Sequence, residues 1–178
     1  MKCLVVSDSH GLTEELSAVV KRHQADVDIC IHCGDSELAA DSVTMIPFLG
    51  VQGNCDTHDV GFPNERIYES DGLTVFITHG HLYQVKMSMM NLWYKAREAG
   101  AKVVFFGHTH VAGTGLKDGI LFLNPGSLRM PRLRKEKTYA ICEWKQSTGQ
   151  FTVDYFTANG DPVKDLSSTF NLSSIPSE

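Results

Sequence analysis

The stretch Lys2-Cys3-Leu4-Val5-Val6-Ser7-Asp8-Ser9-His10-Gly11, "KCLVVSDSHG", decides how the rest of the chain is read. Its first half is a continuous apolar run rather than an alternating one, the pattern of a strand buried on both faces. Its second half turns polar at once and ends in glycine. Beyond it, Leu12, Leu16, Val19, Val20 and His23 follow helical spacing, which predicts an amphipathic helix over about residues 13–24. Strand, polar loop and helix form the repeating unit of α/β folds, in which ligands bind at the carboxyl ends of the strands.

Similar apolar runs recur as "VDICIH" at 27–32, "LTVFITH" at 73–79, "KVVFFGH" at 102–108 and "ILFLN" at 120–124. Two more, "TYAICEW" at 138–144 and "QFTVDYF" at 150–156, flank Ser147-Thr148-Gly149 and read as a hairpin. Val85, Met89, Leu92, Trp93, Ala96 and Ala99 keep a helical period that Gly100 ends. A shorter helix is expected over about residues 36–48, closing near Pro47. The cluster of Met87, Met89, Met90 and Trp93 reads as core packing. With neither repeats nor a linker, residues 1–164 read as one α/β domain with a mixed sheet, or with two sheets packed together. The Ser-rich stretch 165–178 reads as a flexible tail, docked loosely by Phe170 and Leu172.

A chain of 178 residues has room for a sizeable core, and 42% hydrophobic with 21% charged residues is ordinary for a globular protein. The net charge of −5 gives no footprint for general nucleic-acid binding. The longest apolar runs are too short to cross a bilayer, and the start of the chain lacks the longer apolar region of a secretory signal. A cytoplasmic protein without membrane association is expected; self-association into a homo-oligomer is compatible with the sequence. The five cysteines, Cys3, Cys30, Cys33, Cys55 and Cys142, do not have the spacing of a disulfide framework. Cys30 and Cys33 match CxxC, but strand residues three apart face opposite sides, which disfavours a redox or zinc pair.

The strand ends carry the chemistry. After "KCLVV" comes Ser7-Asp8-Ser9-His10-Gly11, and after "VDICIH" comes Cys33-Gly34-Asp35. After "FLGVQ" comes Gly53-Asn54-Cys55-Asp56, after "LTVFI" Thr78-His79-Gly80-His81, and after "KVVFF" Gly107-His108-Thr109-His110. Singly, each fits a cap or a turn. Together they bring Asp8, His10, Asp35, Asn54, His79, His108 and His110 to one edge, while His23, His32 and His58 fall elsewhere. Carboxylates and imidazoles crowded there without a cation would repel or lose water for no return. The oxygen and nitrogen donors, with no thiolate, suit Mn, Fe, Co, Ni or catalytic Zn rather than a structural zinc. Asp8 and His10, like His108 and His110, are two apart, so each pair projects to one side if strand geometry continues.

In order and spacing, "DSH", "GD", "GNCD", "THGH" and "GHTH" resemble the motifs of calcineurin-like metallophosphoesterases, and within them of the small YfcE-type phosphodiesterases. "NPGS" at 124–127, followed by Pro131-Arg132, resembles the same subgroup, and the similarity covers roughly residues 1–145. The resemblance implies a four-layer α-β-β-α sandwich of two mixed sheets. It implies two divalent ions, often Mn, with Fe, Zn, Co or Ni as alternatives, and hydrolysis of small phosphoesters or nucleotide-like substrates by a shared hydroxide. Carried over to this chain, Asp35 bridges; Asp8, His10 and His110 complete one site; and Asn54, His79 and His108 complete the other. Asp56 is then a positioning residue. Cys55 stands where many larger relatives place a catalytic His, so Cys55 and His81 become the candidates at the leaving group. Ser127, Arg129 and Arg132 are candidate substrate contacts, whereas Arg134 reads as part of a solvated basic loop. A binding scaffold on the same fold and a nuclease are the alternatives; the acidic net charge counts against the second.

Overall fold

The computed structural model describes residues 1–57 and 60–172. Strand β1 (Lys2–Val6) leads into helix α1 (Glu14–His23), then β2 (Ile29–His32) and β3 (Phe48–Gly50). Next come β4 (Glu65–Ser70), β5 (Leu73–Thr78), a single 3₁₀ turn at His81–Tyr83, and helix α2 (Met90–Glu98). The chain continues through β6 (Val103–Phe105), β7 (Gly113–Lys117), β8 (Ile120–Asn124), β9 (Thr138–Lys145), β10 (Gln150–Thr157) and β11 (Ser168–Asn171).

Among the described residues the strands form two mixed sheets, ordered β11-β10-β9-β1-β2-β3 and β4-β5-β6-β8-β7. β1 runs parallel to β2 and antiparallel to β9, while β5, β6 and β8 run parallel to one another. The continuous apolar runs are explained by burial on both faces. Cys3, Val5, Ile31 and Cys33 meet Val75, Ile77, Val103 and Phe105 in the core between the sheets. The alternate residues Leu4, Val6 and Cys30 pack outward against Leu16, Val19 and Val20 of α1. On the far side Phe76, Val104 and Phe122 pack against Leu92, Trp93 and Ala96 of α2. The molecule is therefore the expected α-β-β-α sandwich. Cys30 and Cys33 lie in different cores, as strand alternation requires.

Several elements depart from the sequence reading, and Met87 and Met90, read as core packing, are exposed. Residues 36–47 form turns and irregular backbone rather than a helix, and Glu37 takes a left-handed φ of 56°. Helix α2 starts at Met90 rather than near Val85, and residues 84–87 form a turn that follows the 3₁₀ segment. Within the stretch read as a loose tail, β11 pairs with β10, Leu172 is buried, and its N–H donates to the Gly149 carbonyl at 2.8 Å. Residues 173–178 of that tail, and His58, lie outside the described residues. Among the described residues no helix is long and apolar enough to cross a membrane.

Candidate metal centre

The strands deliver their last residues to one edge, but strand geometry does not carry the ligands. β1 ends at Val6, and Asp8 and His10 both have left-handed φ values, 53° and 45°. Asp35, His108 and His110 do the same at 55°, 65° and 59°. Each such residue costs about 1 kcal/mol or more, and the cost is met by backbone hydrogen bonds that permit no other path. Asp8 N–H donates to the Gly34 carbonyl at 3.0 Å, His10 N–H to Asp35 at 3.0 Å, and Gly11 N–H to Ser36 at 2.8 Å. The two-residue spacing thus works through alternating left-handed turns, not through the pleat.

Asp8, His10, Asp35, His79 and His110 are buried. Asp8 uses Oδ2 to accept from Ser7 Oγ at 2.6 Å and from His108 N–H at 3.2 Å. Its Oδ1 has no hydrogen bond among the described residues, although His110 Nε2 lies 3.0 Å away and His10 and His79 Nε2 each lie 4.0 Å away. Asp35 divides its oxygens similarly. Oδ1 accepts from Cys55 N–H at 2.7 Å, and Oδ2 faces His79 Nε2 at 3.2 Å. His79 Nε2 is also 3.2 Å from Asn54 Oδ1. The ligand atoms of Asp8, His10 and His110 form one group within 4.8 Å, and those of Asp8, Asp35 and His79 another. Asp35 also groups with His10 and Cys55, so it neighbours both halves. The His108 ring lies 5.1 Å from that of His79.

The tautomers show what the cluster wants. His79 Nδ1–H donates to the Cys33 carbonyl at 2.7 Å, and His110 Nδ1–H to the Met130 carbonyl at 2.7 Å. In each neutral ring Nε2 is then a lone pair aimed at carboxylate oxygens. Acceptors held this close need a cation between them. Without a metal a second proton serves: Asp8 draws the pKa of His110 upward, and Asp35 and Asp8 draw that of His79 upward against the effect of burial. Burial opposes ionisation of Asp8 and Asp35 too, yet the facing histidines hold both carboxyls below their usual range. The donor set fits divalent metal ions, with outer carbonyls and a carboxylate fixing the rings of His10, His79 and His110.

Glu37, which the sequence reading missed, is one of these outer groups: its Oε1 lies 2.7 Å from His10 Nδ1. His32 was set apart from the cluster, but it packs beneath it. Gly34 N–H donates to His32 Nδ1 at 3.2 Å, so Nε2 carries the proton toward Ser9 Oγ at 2.9 Å, between Asp8 and His10. Burial pushes the His32 pKa down to about 4, which keeps the ring neutral. Asp56 is also buried. Its Oδ2 accepts from Asp35 N–H at 2.9 Å and Gly53 N–H at 2.7 Å, and its Oδ1 accepts from Glu37 N–H at 2.6 Å. It clamps the loop carrying Asp35 to the loop carrying Asn54. Gly53 was expected to serve the turn, but its backbone is not left-handed. A Cβ there would sit 2.0 Å from Asp35 Oδ1.

Cys55 is exposed beside the centre, its sulfur accepting from Asn54 Nδ2 at 3.3 Å. Desolvation of the sulfur and the Asp35 carboxylate push its thiol up to about 11. The His81 ring lies 5.3 Å from that of His79; burial lowers its pKa, and its Nδ1 is buried without a partner among the described residues. Ser127, a candidate substrate contact or turn residue, sits inside the turn. It is fully buried, donates to the Asp8 carbonyl at 2.8 Å, and accepts from the Arg129 and Met130 N–H groups, so it fixes the turn. Arg129 donates to the His10 carbonyl, and the Arg132 N–H donates to the His110 carbonyl at 3.0 Å. Both arginines are exposed at the rim. Arg134 pairs with Asp165 at 2.8 Å, away from the centre.

Comparison with known proteins gives the family and the fold. Residues 1–147 match the family described as the calcineurin-like phosphoesterase superfamily domain. The chain is 41% identical to a Bacillus subtilis (strain 168) protein named "Probable metallophosphoesterase YsnB", over 97% of this chain and 100% of that one. A crystal structure of a "predicted phosphoesterase" from Streptococcus pneumoniae TIGR4 superposes with a TM-score of 0.89 at 36% identity, covering 95% of this chain and 96% of that one. YfcE, a phosphoesterase from E. coli, shares the fold with a TM-score of 0.66 at 17% identity, covering 97% and 100% of the two chains.

Proposed function

The chain belongs to the calcineurin-like phosphoesterase superfamily, and on that premise we propose that it hydrolyses small phosphodiesters with two divalent ions. The observation that carries this reading is the convergence of lone pairs at the centre. His79 Nε2 stands 3.2 Å from both Asp35 Oδ2 and Asn54 Oδ1, with its proton on the opposite nitrogen. Asp8, His10, Asp35 and His110 would hold one ion, and Asp35, Asn54, His79 and His108 the other. Manganese is the proposed native ion, in keeping with the mixed oxygen and nitrogen donors. Two such ions supply Lewis acidity toward phosphoryl oxygens and an activated water at neutral pH.

The residues around the ions do the rest. Nδ1 partners hold His10, His79 and His110 in one tautomer, and Asp56 holds Asp35 against Asn54. The rim cations Arg129 and Arg132 favour an anionic ester. Cys55 stays protonated at neutral pH and, with neutral His81, is the proposed donor toward the leaving oxygen. A thiol is a weak donor, so esters with good leaving groups are the favoured substrates. A binding scaffold on the same fold is the alternative reading, and the grouped donors count against it. The test is turnover of bis(4-nitrophenyl) phosphate by purified protein, stripped with chelator and then resupplied with Mn²⁺. Activity is expected to vanish and return, and Asp35→Asn is expected to lower kcat/KM by at least about 100-fold. Turnover that ignores chelator and Mn²⁺ would overturn the reading.

A further inference from the structure

The loop that carries His108 and His110 has a second face. Thr109, between them, and Val111, just after, line a cleft of about 680 Å³ between α2 and the β7–β8 hairpin. That volume suits a small-molecule site. Its walls include Met89 and Trp93 of α2, Phe122 of β8 and Leu116 of the edge strand β7. Asn124 ties this wall to the metal-ligand loop, donating to the Gly107 carbonyl at 2.8 Å and to Thr109 Oγ1 at 3.0 Å. Among the described residues the charged ones lining the cleft are Lys86, Lys117 and Arg132, with no acidic residue. Lys117 is engaged with Asp118 and with the face of Trp93. Lys86 and Arg132 belong to both regions: Lys86 acts electrostatically on His108, and the Arg132 N–H binds the His110 carbonyl. The Nε1 of Trp93, a residue 9% exposed, has no partner among the described residues.

We propose that this cleft takes one ester arm of the substrate, and that the preferred substrate is a phosphodiester with an aromatic arm. The anionic diester sits at the metal centre, Lys86 and Arg132 meet its charge at the cleft mouth, and the aromatic group lies among Met89, Trp93, Leu116 and Phe122. Apolar burial then contributes affinity that a methyl arm cannot supply. The proposal rests on the phosphodiesterase reading above.

Two measurements separate the two ideas. The first compares bis(4-nitrophenyl) phosphate with methyl 4-nitrophenyl phosphate on Mn²⁺-loaded protein; both release the same leaving group. The second compares phenylphosphonate with methylphosphonate by calorimetric titration, which needs no turnover. Leu116→Asp alters an exposed edge-strand residue, and Met89→Ala shortens a partly buried side chain without burying a charge, so neither is expected to prevent folding. Phenylphosphonate is expected to bind at least tenfold more tightly than methylphosphonate. Each variant should reduce that preference several-fold, along with the KM advantage of the diaryl ester. Equal or undetectable binding of the two phosphonates, or a preference that both variants leave intact, would overturn the proposal. A phosphonate preference that the variants abolish, in a protein that turns over neither diester, would uphold the cleft and sink the phosphodiesterase reading.

Discussion

Glu37 sits 2.7 Å from the far nitrogen of His10, and the carboxylate there fixes the ring and strengthens its other nitrogen as a ligand. Replacing it by Gln keeps an acceptor and removes the charge. Glu37→Gln is expected to weaken Mn²⁺ binding by about tenfold, measured by calorimetric titration, with far-UV circular dichroism unchanged. Unaltered affinity would show that this bond does nothing for the metal. Nothing in the sequence flagged Glu37, because a lone Glu after "GDS" looks like any surface acid until a left-handed turn aims it at His10. Gly53 was legible as a special position but for another reason: it makes room for Asp35 rather than for a turn. Asp8, His10, Asp35, Asn54, His79, His108 and His110 were nominated by residue type and place after a strand, and the fold brings Asp8, His10 and His110, and Asp8, Asp35 and His79, within ligand distance of one another.

At the level of elements, the strands that were read correctly are those with continuous apolar runs, and those that escaped notice lie at sheet edges. β4 alternates half-buried and exposed residues, β7 is the glycine-bearing "GTGLK", and β11 is the polar "STFN". Edge strands gain their identity from a neighbour's backbone, which a local pattern does not show. β11 has measurable worth under this account. Deleting residues 165–178 removes its pairing with β10, the burial of Leu172 and the partner of Arg134. The expected loss is about 2–4 kcal/mol by urea denaturation of metal-loaded protein. An unchanged midpoint would mean that the strand adds nothing to stability. Helix α1 was legible for the opposite reason: Leu16, Val19 and Val20 form its whole buried stripe, and Glu14 and Glu15 start it while Lys21 and Arg22 end it.

For the whole molecule, three apolar cores hold the sandwich whether or not metal is bound, while the centre gathers acceptors that repel without a cation. Chelation should therefore lower the melting temperature without unfolding the protein at 25 °C. At free metal about 100 times Kd the ligand term is about 2.7 kcal/mol, or about 5–10 °C for a domain of this size. A melting temperature indifferent to Mn²⁺ and chelator would show that no ion binds the native centre. The sequence by itself determined the α/β class, through strands buried on both faces and helices with one apolar stripe, and left one sheet or two open until the strand pairing showed two. It also determined the donor atoms, because only certain side chains offer them. Tertiary structure alone decided which oxygen of Asp8 or Asp35 is free, which nitrogen of each histidine faces inward, and that Ser127 is sealed away. Those depend on hydrogen bonds between loops far apart in the chain, and on left-handed turns that are stable only where such bonds hold them.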